Sequence, residues 1–396
     1  MLSDRVKELE TSQTMMISGE AKKLKSEGVD VIDLSMGEPD FHTPNNIKEV
    51  GKTAIDENKT KYTLNQGTNE LRNAIAAKLK RENNLDYNLN EIIVSNGAKQ
   101  SIYNSILATV NPGDEVIVPA PYWVSYPSMI QLAGGKMIVI DTEEKVGFKV
   151  TADQLSSAVT AKTKMLILCN PSNPTGSVYQ RKDLEALAEI VRQNNFYVLA
   201  DEIYEKLVYD NNKFISFASL GDDIKKKTIV VNGISKSYAM TGWRIGYTAA
   251  PENVSYAINK IQSHTTSNAS TISQYAAIEA IAGPQYAIVE MINEFRKRRD
   301  FLFNEITSIP GITCYKSEGA FYLFPNISNY LNGKSAKQKI NTSFDLSMHL
   351  LYEAHLAVVP GSAFGKEGYL RLSYSTSMEL LKEAVNRLKK ALIKIQ

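Results

Sequence analysis

Five short apolar runs in this chain end in groups that could do chemistry, and the groups are of complementary kinds. KMLILC runs into NPSNPTG, with Asn170, Asn173 and Gly176. NFYVLA runs into DEIY, with Asp201 and Tyr204, and KTIVVNGI runs into SKSYAMTGWRIG, with Lys236 and Arg244. EIIVS leads to NGAKQ, holding Gly97, Ala98 and Lys99, and DEVIVPA leads to PYW, holding Trp123. The set contains amides, a carboxylate, an amine, a guanidinium, a small-residue turn and an indole. A deprotonated amine is a nucleophile and a base. An indole stacks on a flat ring, and a glycine turn opening a helix holds an anion. Each group also has a plain structural use: Asn-Pro and Pro-Thr-Gly make turns, and an Asp closing a strand caps the next helix. A single lysine usually faces solvent, a tryptophan beside prolines fills a core, and an arginine pairs with a nearby acid. Their joint order along the chain carries the argument.

Groups that end apolar runs meet in space if the runs are strands of one parallel sheet, because ligands there bind beyond the carboxyl ends of the strands. The runs are continuously apolar rather than alternating, as expected of strands covered on both faces. Helical patterns fill the gaps: LRNAIAAKLKRENN spaces Leu71, Ile75 and Leu79 four apart, and GAKQSIYNSILATV and RKDLEALAEIVRQNN follow later strands. Strand–helix alternation predicts an α/β fold with a mostly parallel central sheet sandwiched by helices. The ends read differently. GEAKKLKSEG reads as a helix, DVIDLSMG as a strand and EPDFHTP as a turn. After Pro284, a helix carrying FRKRRDFLFNEI leads to GITCYKSEGAFYLFPNI, read as a β-hairpin, then to the helix SFDLSMHLLYEAH and an amphipathic terminal helix. The expectation is a large α/β domain over residues 46–285 and a smaller α+β domain built from residues 1–45 and 286–396.

Composition narrows the classes of function. The chain has 396 residues, 45 Lys+Arg against 43 Asp+Glu, and a net charge of +2, which gives no reason to expect nucleic acid or a membrane surface as partner. Two cysteines, Cys169 and Cys314, make neither a disulfide framework nor a Cys-rich metal site, and four histidines leave metal ligands scarce. MLSDRVKELETS is charged where a signal sequence is apolar, so a reducing cytoplasmic setting is expected. No GxGxxG follows a strand, GKT at 51–53 lacks its upstream glycine, GSAFGKE has the wrong spacing for a phosphate loop, and no HExxH occurs. RKRR at 296–299 and KKK at 225–227 read as solvated faces.

One cofactor calls for the whole set. Pyridoxal phosphate requires a lysine that forms a Schiff base and an acid that keeps its ring nitrogen protonated. It also requires a stacking wall, a donor to its phenolic oxygen and an anion site for its phosphate. Lys236 follows an apolar strand and lies eight residues from Arg244, so burial and a neighbouring cation both favour its unprotonated form.

From about Arg5 to the C-terminus the sequence resembles the class I pyridoxal-phosphate aminotransferases of fold type I, particularly their bacterial aspartate branch. LSMGEPDFHTP, KYT, NGAKQ, PYWVSYP, NPSNPTG, ADEIYEKL, SKSYAMTGWRIGY and YLRLSYS, in this order, carry the resemblance. It implies that Lys236 binds the cofactor covalently and moves the substrate Cα proton. It implies that Asp201 holds the pyridinium, that Tyr204 and Asn173 bond the phenolic oxygen, and that Trp123 stacks on the ring. Gly97, Ala98, Lys99 and Arg244 would hold the phosphate, and Tyr62 would reach the phosphate of a neighbouring subunit in a homodimer. Arg371 and the backbone of Gly37 would grip the substrate α-carboxylate, with Trp123 and Asn173 beside them. Lys99 would meet a distal carboxylate, and Thr14 would line the pocket. The implied reaction is amino transfer from L-aspartate to 2-oxoglutarate by a ping-pong sequence. Aromatic or kynurenine aminotransferases and carbon–sulfur β-lyases share most of these motifs. A non-catalytic regulatory module of the same fold would need a helix-turn-helix segment, for which residues before Leu34 leave no room. Glu10 stands where relatives acting on prephenate carry a basic residue. Gly233 stands where many relatives carry a hydroxyl that touches the phosphate, which puts the role of Ser235 in question.

Overall fold

A computed structural model of the chain describes residues 2–9, 11–334 and 339–395. Glu10 lies outside the described residues. The centre is a seven-stranded sheet. Its strands are β1 (Ile92–Ser95), β2 (Glu115–Ala120), β3 (Lys136–Asp141), β4 (Thr163–Cys169), β5 (Tyr197–Asp201), β6 (Thr228–Gly233) and β7 (Gly246–Ala249). Their spatial order is β1-β7-β6-β5-β4-β2-β3, and β7 alone runs against its neighbours.

Apart from the edge strand β3, whose Val139 is exposed, the apolar runs are continuous because the strands feed cores on both faces. Val116, Val118, Met165, Ile167, Leu199 and Ile229 pack with Ile102, Ile106 and Ile258 on one side. Ile117, Leu166, Leu168, Val198 and Ala200 pack with Leu184, Leu187 and Val191 on the other. Burying one such side chain contributes about 1.5–3 kcal/mol, so apolar residues are favoured on both faces of these runs. Polar groups are therefore displaced to the strand ends.

A further core gathers both ends of the chain. Ile32, Leu34, Phe295, Leu302, Leu346, Leu350, Leu370, Leu372 and Leu388 pack together, and Ile203, Tyr204 and Leu207 join them from the segment after β5. Helix Tyr286–Thr307 begins with Ile288 in a core shared with the large sheet and continues with Met291 and Phe295 in the terminal core.

Two readings need correction. GITCYKSEGAFYLFPNI does not form a regular hairpin: strand Tyr322–Leu323 pairs with Leu370–Ser373, and the two arms share only the bridge Thr313–Asn326. The intervening SEG instead turns toward NPSNPTG, where the Gly176 carbonyl accepts from the amides of Glu318 at 2.9 Å and Gly319 at 2.7 Å. Local turn chemistry was outweighed by a better distant partner. GYTA was not read as a strand, yet β7 fills the gap between β1 and β6.

Candidate active site

Strand direction explains why the polar groups converge. β1, β2, β4, β5 and β6 deliver Ala98, Trp123, Asn173, Asp201 and Lys236 from their carboxyl ends. The reversed β7 begins at this rim, so Arg244, two residues before it, reaches the same place. A cavity of about 620 Å³ opens there, and its wall includes Thr14, Gly37, Ala98, Lys99, Trp123, Asn173, Asp201, Tyr204, Ser235, Lys236, Arg244 and Arg371. Gly97 is not part of the wall but touches Arg244, since a Cβ at Gly97 would lie 2.3 Å from Arg244 Nη2. Tyr62 is 91% exposed and lies outside this cavity.

Lys236 follows β6 in a compact turn closed by Met240 N–H to Ser235 O at 3.1 Å. Its Nζ donates to the Gly37 carbonyl. Burial lowers its pKa to about 8; the nearby cations Arg371 and Arg244 act in the same direction, while Glu38 and Asp201 oppose. At neutral pH about a tenth of the amine is free, far more than for an exposed lysine.

Asp201 ends β5 and is 4% exposed. The Tyr126 hydroxyl donates to its Oδ2 at 2.6 Å, and the Ile203 amide approaches Oδ1 at 3.4 Å. Burial pushes the carboxyl up to about 6, with these two bonds and Lys236 holding it down. Tyr126 itself packs edge-to-face on Trp123, with ring centroids 5.4 Å apart. Lys99 Nζ lies 5.0 Å from the Trp123 ring centroid. Burial and Arg244 lower the Lys99 pKa.

Arg371, on strand Leu370–Ser373, is 4% exposed. Its Nη1 donates to Asn173 Oδ1 at 3.2 Å and its Nη2 to the Ser35 carbonyl at 2.6 Å, while Nε is buried without a partner. The guanidinium lies 4.5 Å from the Tyr322 ring centroid and 5.1 Å from that of Phe364. Among the described residues no carboxylate forms an ion pair with it. A buried cation left unpaired is costly unless a ligand completes it. A carboxylate suits its planar fork.

Helix Ala98–Thr109 starts at the rim with Gly97 at φ 81°. The first amides of a helix have no intrahelical partner and favour an anion. A Cβ at Gly246 would fall 2.2 Å from Ala98 N, so the start of β7 and the helix start are in direct backbone contact. Arg244 donates to the Thr241 carbonyl at 2.9 Å and to Asn96 O at 3.3 Å beside this turn.

Gly233 has a packing reason. A Cβ there would meet Ile245 O at 2.8 Å and Gly246 Cα at 3.0 Å, so this backbone has no room for a hydroxyl side chain. Ser235, two residues on, lines the cavity. Thr14 sits at the start of helix Gln13–Ser26 with its Oγ1 buried and without a partner. Sequence reasoning missed Tyr126, Tyr322 and Ser35. Tyr126, in the quoted PYWVSYP, was accessible as a residue three places after Trp123.

The arrangement unites a poised amine, a buried acid, an anion-binding helix start and an unpaired guanidinium in one cavity. The chain belongs to the class I and II aminotransferase family, whose sequence pattern matches residues 29–388. It is 45% identical to the aspartate aminotransferase of Bacillus sp. strain YM-2 over 388 residues, 98% of each chain. It is 46% identical to the aspartate/prephenate aminotransferase of Nitrosomonas europaea over 390 residues, again 98% of each. The solved aspartate aminotransferase of Rhizobium meliloti superposes with a TM-score of 0.97 at 41% identity, covering 100% of both chains. The fold is thus that of the aspartate aminotransferases, fold type I, and the chain is a transaminase. Among the described residues no helix is long and apolar enough to cross a membrane, and no cluster of potential metal ligands occurs.

Proposed function

We propose that this transaminase uses pyridoxal 5′-phosphate to move an amino group from L-aspartate to 2-oxoglutarate, giving oxaloacetate and L-glutamate. The observation that carries the reading is the buried guanidinium of Arg371, unpaired by any described carboxylate, in one cavity with the Lys236 amine and the Asp201 carboxyl. The donor set fits the cofactor: an amine for its aldehyde, an acid for its ring nitrogen, an indole wall, and a helix start with Arg244 for its phosphate. When bound, pyridoxal phosphate supplies an electron sink that acidifies the α-proton of an amino acid.

The chain's own residues do the rest. Arg371 binds the substrate α-carboxylate and so fixes the Cα relative to Lys236. Lys236, whose pKa burial lowers to about 8, would hold the cofactor through its amine and, once that amine is free, would take the proton from Cα as general base. Asp201 would hold the protonated ring nitrogen as a carboxylate. Asn173 and Tyr204 would bond the phenolic oxygen, and Trp123 would provide the wall on which the ring stacks. The amino donor leaves as an oxo acid before the second oxo acid enters.

Lys99 is the proposed cation for the distal carboxylate, supported by its place in the cavity wall beside Trp123. Thr14 lines the same wall. Replacing Lys99 with alanine is expected to raise the KM for aspartate about tenfold, the order of one charge-assisted contact, while changing that for alanine little. Steady-state assays with both donors check this; equal changes would remove Lys99 from the distal site. A panel of amino donors against 2-oxoglutarate tests the reading itself. Aspartate should lead, whereas preferred aromatic donors, or release of pyruvate and thiol from a sulfur amino acid, would replace it.

A homodimer belongs to the proposal. The Tyr62 side chain, 91% exposed next to half-exposed Leu64, is available to a neighbouring subunit's phosphate site. The two-domain division at residues 46 and 285 also belongs to it, supported by the separate terminal core. So does a cytoplasmic setting, for which the unpaired Cys169 and Cys314 speak.

A further inference from the structure

The hydroxyls of Tyr204 and Tyr322 lie 2.8 Å apart, and both side chains are buried. They come from distant parts of the chain. Tyr204 follows β5, while Tyr322 sits directly opposite Ser373 on the strand that carries Arg371. Side chains two residues apart on a strand share a face, so Arg371 and Tyr322 are diagonal neighbours across the ladder. This explains the guanidinium 4.5 Å from the Tyr322 ring centroid.

Two facing hydroxyls share one hydrogen between them, and the second hydrogen points elsewhere. Among the described residues, each hydroxyl has only the other as hydrogen-bond partner. The direction of the bond is set by asymmetry in their surroundings. A cation against the Tyr322 ring stabilises negative charge developing on its oxygen and makes it the better donor. The Arg371 guanidinium has this position over Tyr322, whereas the Tyr204 ring packs edge-on against Phe321 and Tyr322. We propose that Tyr322 is a positioning residue: it donates its hydroxyl hydrogen to Tyr204 and thereby aims the Tyr204 hydrogen into the cavity, at the phenolic oxygen of the cofactor. Both residues line that cavity. Burial raises both phenols, and Arg371 acts to lower both, as the second-largest influence on Tyr322 but the smallest on Tyr204, in keeping with this direction of donation. The inference rests on the pyridoxal phosphate reading and deepens it.

The test compares binding of pyridoxal phosphate with that of its 3-deoxy analogue, which lacks the phenolic oxygen, to cofactor-free protein. Tryptophan fluorescence gives the readout. Tyr322→Phe keeps the ring and its contact with Arg371 and removes only the donated hydrogen. It is expected to weaken pyridoxal phosphate about three- to tenfold, the range of one hydrogen bond, and to leave the analogue unchanged. Tyr204→Phe should do the same or more, and the double variant should be no weaker than Tyr204→Phe alone, because the two residues act in series. Equal losses for both ligands, no loss in Tyr322→Phe, or losses that multiply in the double variant would overturn the assignment. Wild-type protein that fails to bind pyridoxal phosphate would instead overturn the cofactor reading, and this inference with it.

Discussion

Replacing Lys236 with alanine is expected to lower turnover by roughly 10⁴-fold or more, since the covalent attachment point and the general base are lost with one amine. Borohydride reduction followed by peptide mapping should place the cofactor label on the Lys236 peptide of the native protein and find none in the variant. Normal turnover in the variant, or a label elsewhere, would sink the proposed function. The environment of the amine adds a quantitative expectation. Burial brings its pKa down to about 8 from 10.5, with Arg371 and Arg244 assisting. Only about a tenth of the amine is then free at pH 7, and nearly all of it at pH 9. The rate at which cofactor-free protein takes up pyridoxal phosphate should therefore rise about tenfold between those values and then level. A rise that continues toward pH 10.5 would mean that the lysine behaves as if exposed to water.

The parts of the molecule legible in the sequence are those set by local pattern. Strands covered on both faces stand out because their interiors are mostly apolar, and their ends mark where polar groups collect. KMLILC, NFYVLA and KTIVVN thus disclosed the sheet and the position of Asn173, Asp201 and Lys236 together. GYTA is short, begins at a glycine and follows a loop of turn residues, so its place beside β1 is visible only from its distant partners. The SEG turn misled for the same reason: its hydrogen bonds go to Gly176, about 140 residues earlier. Arg371 and Tyr62 were assigned through resemblance alone. Neither strand context nor spacing separates Arg371 from an ordinary arginine; its distinguishing property is burial without an acid. Tyr322 acts through Tyr204, 118 residues away in sequence, and nothing in FYLF announces that pairing.

Asp201→Asn should separate stability from function. The Asp201 carboxyl titrates near 3.8 in an unfolded chain and at about 6 in the fold, where burial outweighs Tyr126, Ile203 and Lys236. Between those pH values the unfolded chain gives up its proton first, so stability falls as pH rises through the window. Above pH 6 the buried charge costs the cofactor-free protein roughly 3 kcal/mol. Asparagine carries no charge, yet its oxygen still accepts from Tyr126. The cofactor-free variant should therefore melt a few degrees above the native protein at pH 8, and the gap should nearly vanish at pH 4. Its kcat/KM should fall about 10²–10³-fold, the scale for losing one preorganised electrostatic partner. Calorimetry at the two pH values and a steady-state assay check both halves. Equal melting at pH 8 would show that the fold does not strain this carboxyl, and unchanged turnover would free it from the ring nitrogen. Both effects together identify a group whose charge the fold alone disfavours and the bound cofactor requires, so that binding the cofactor restores the stability that this charge costs.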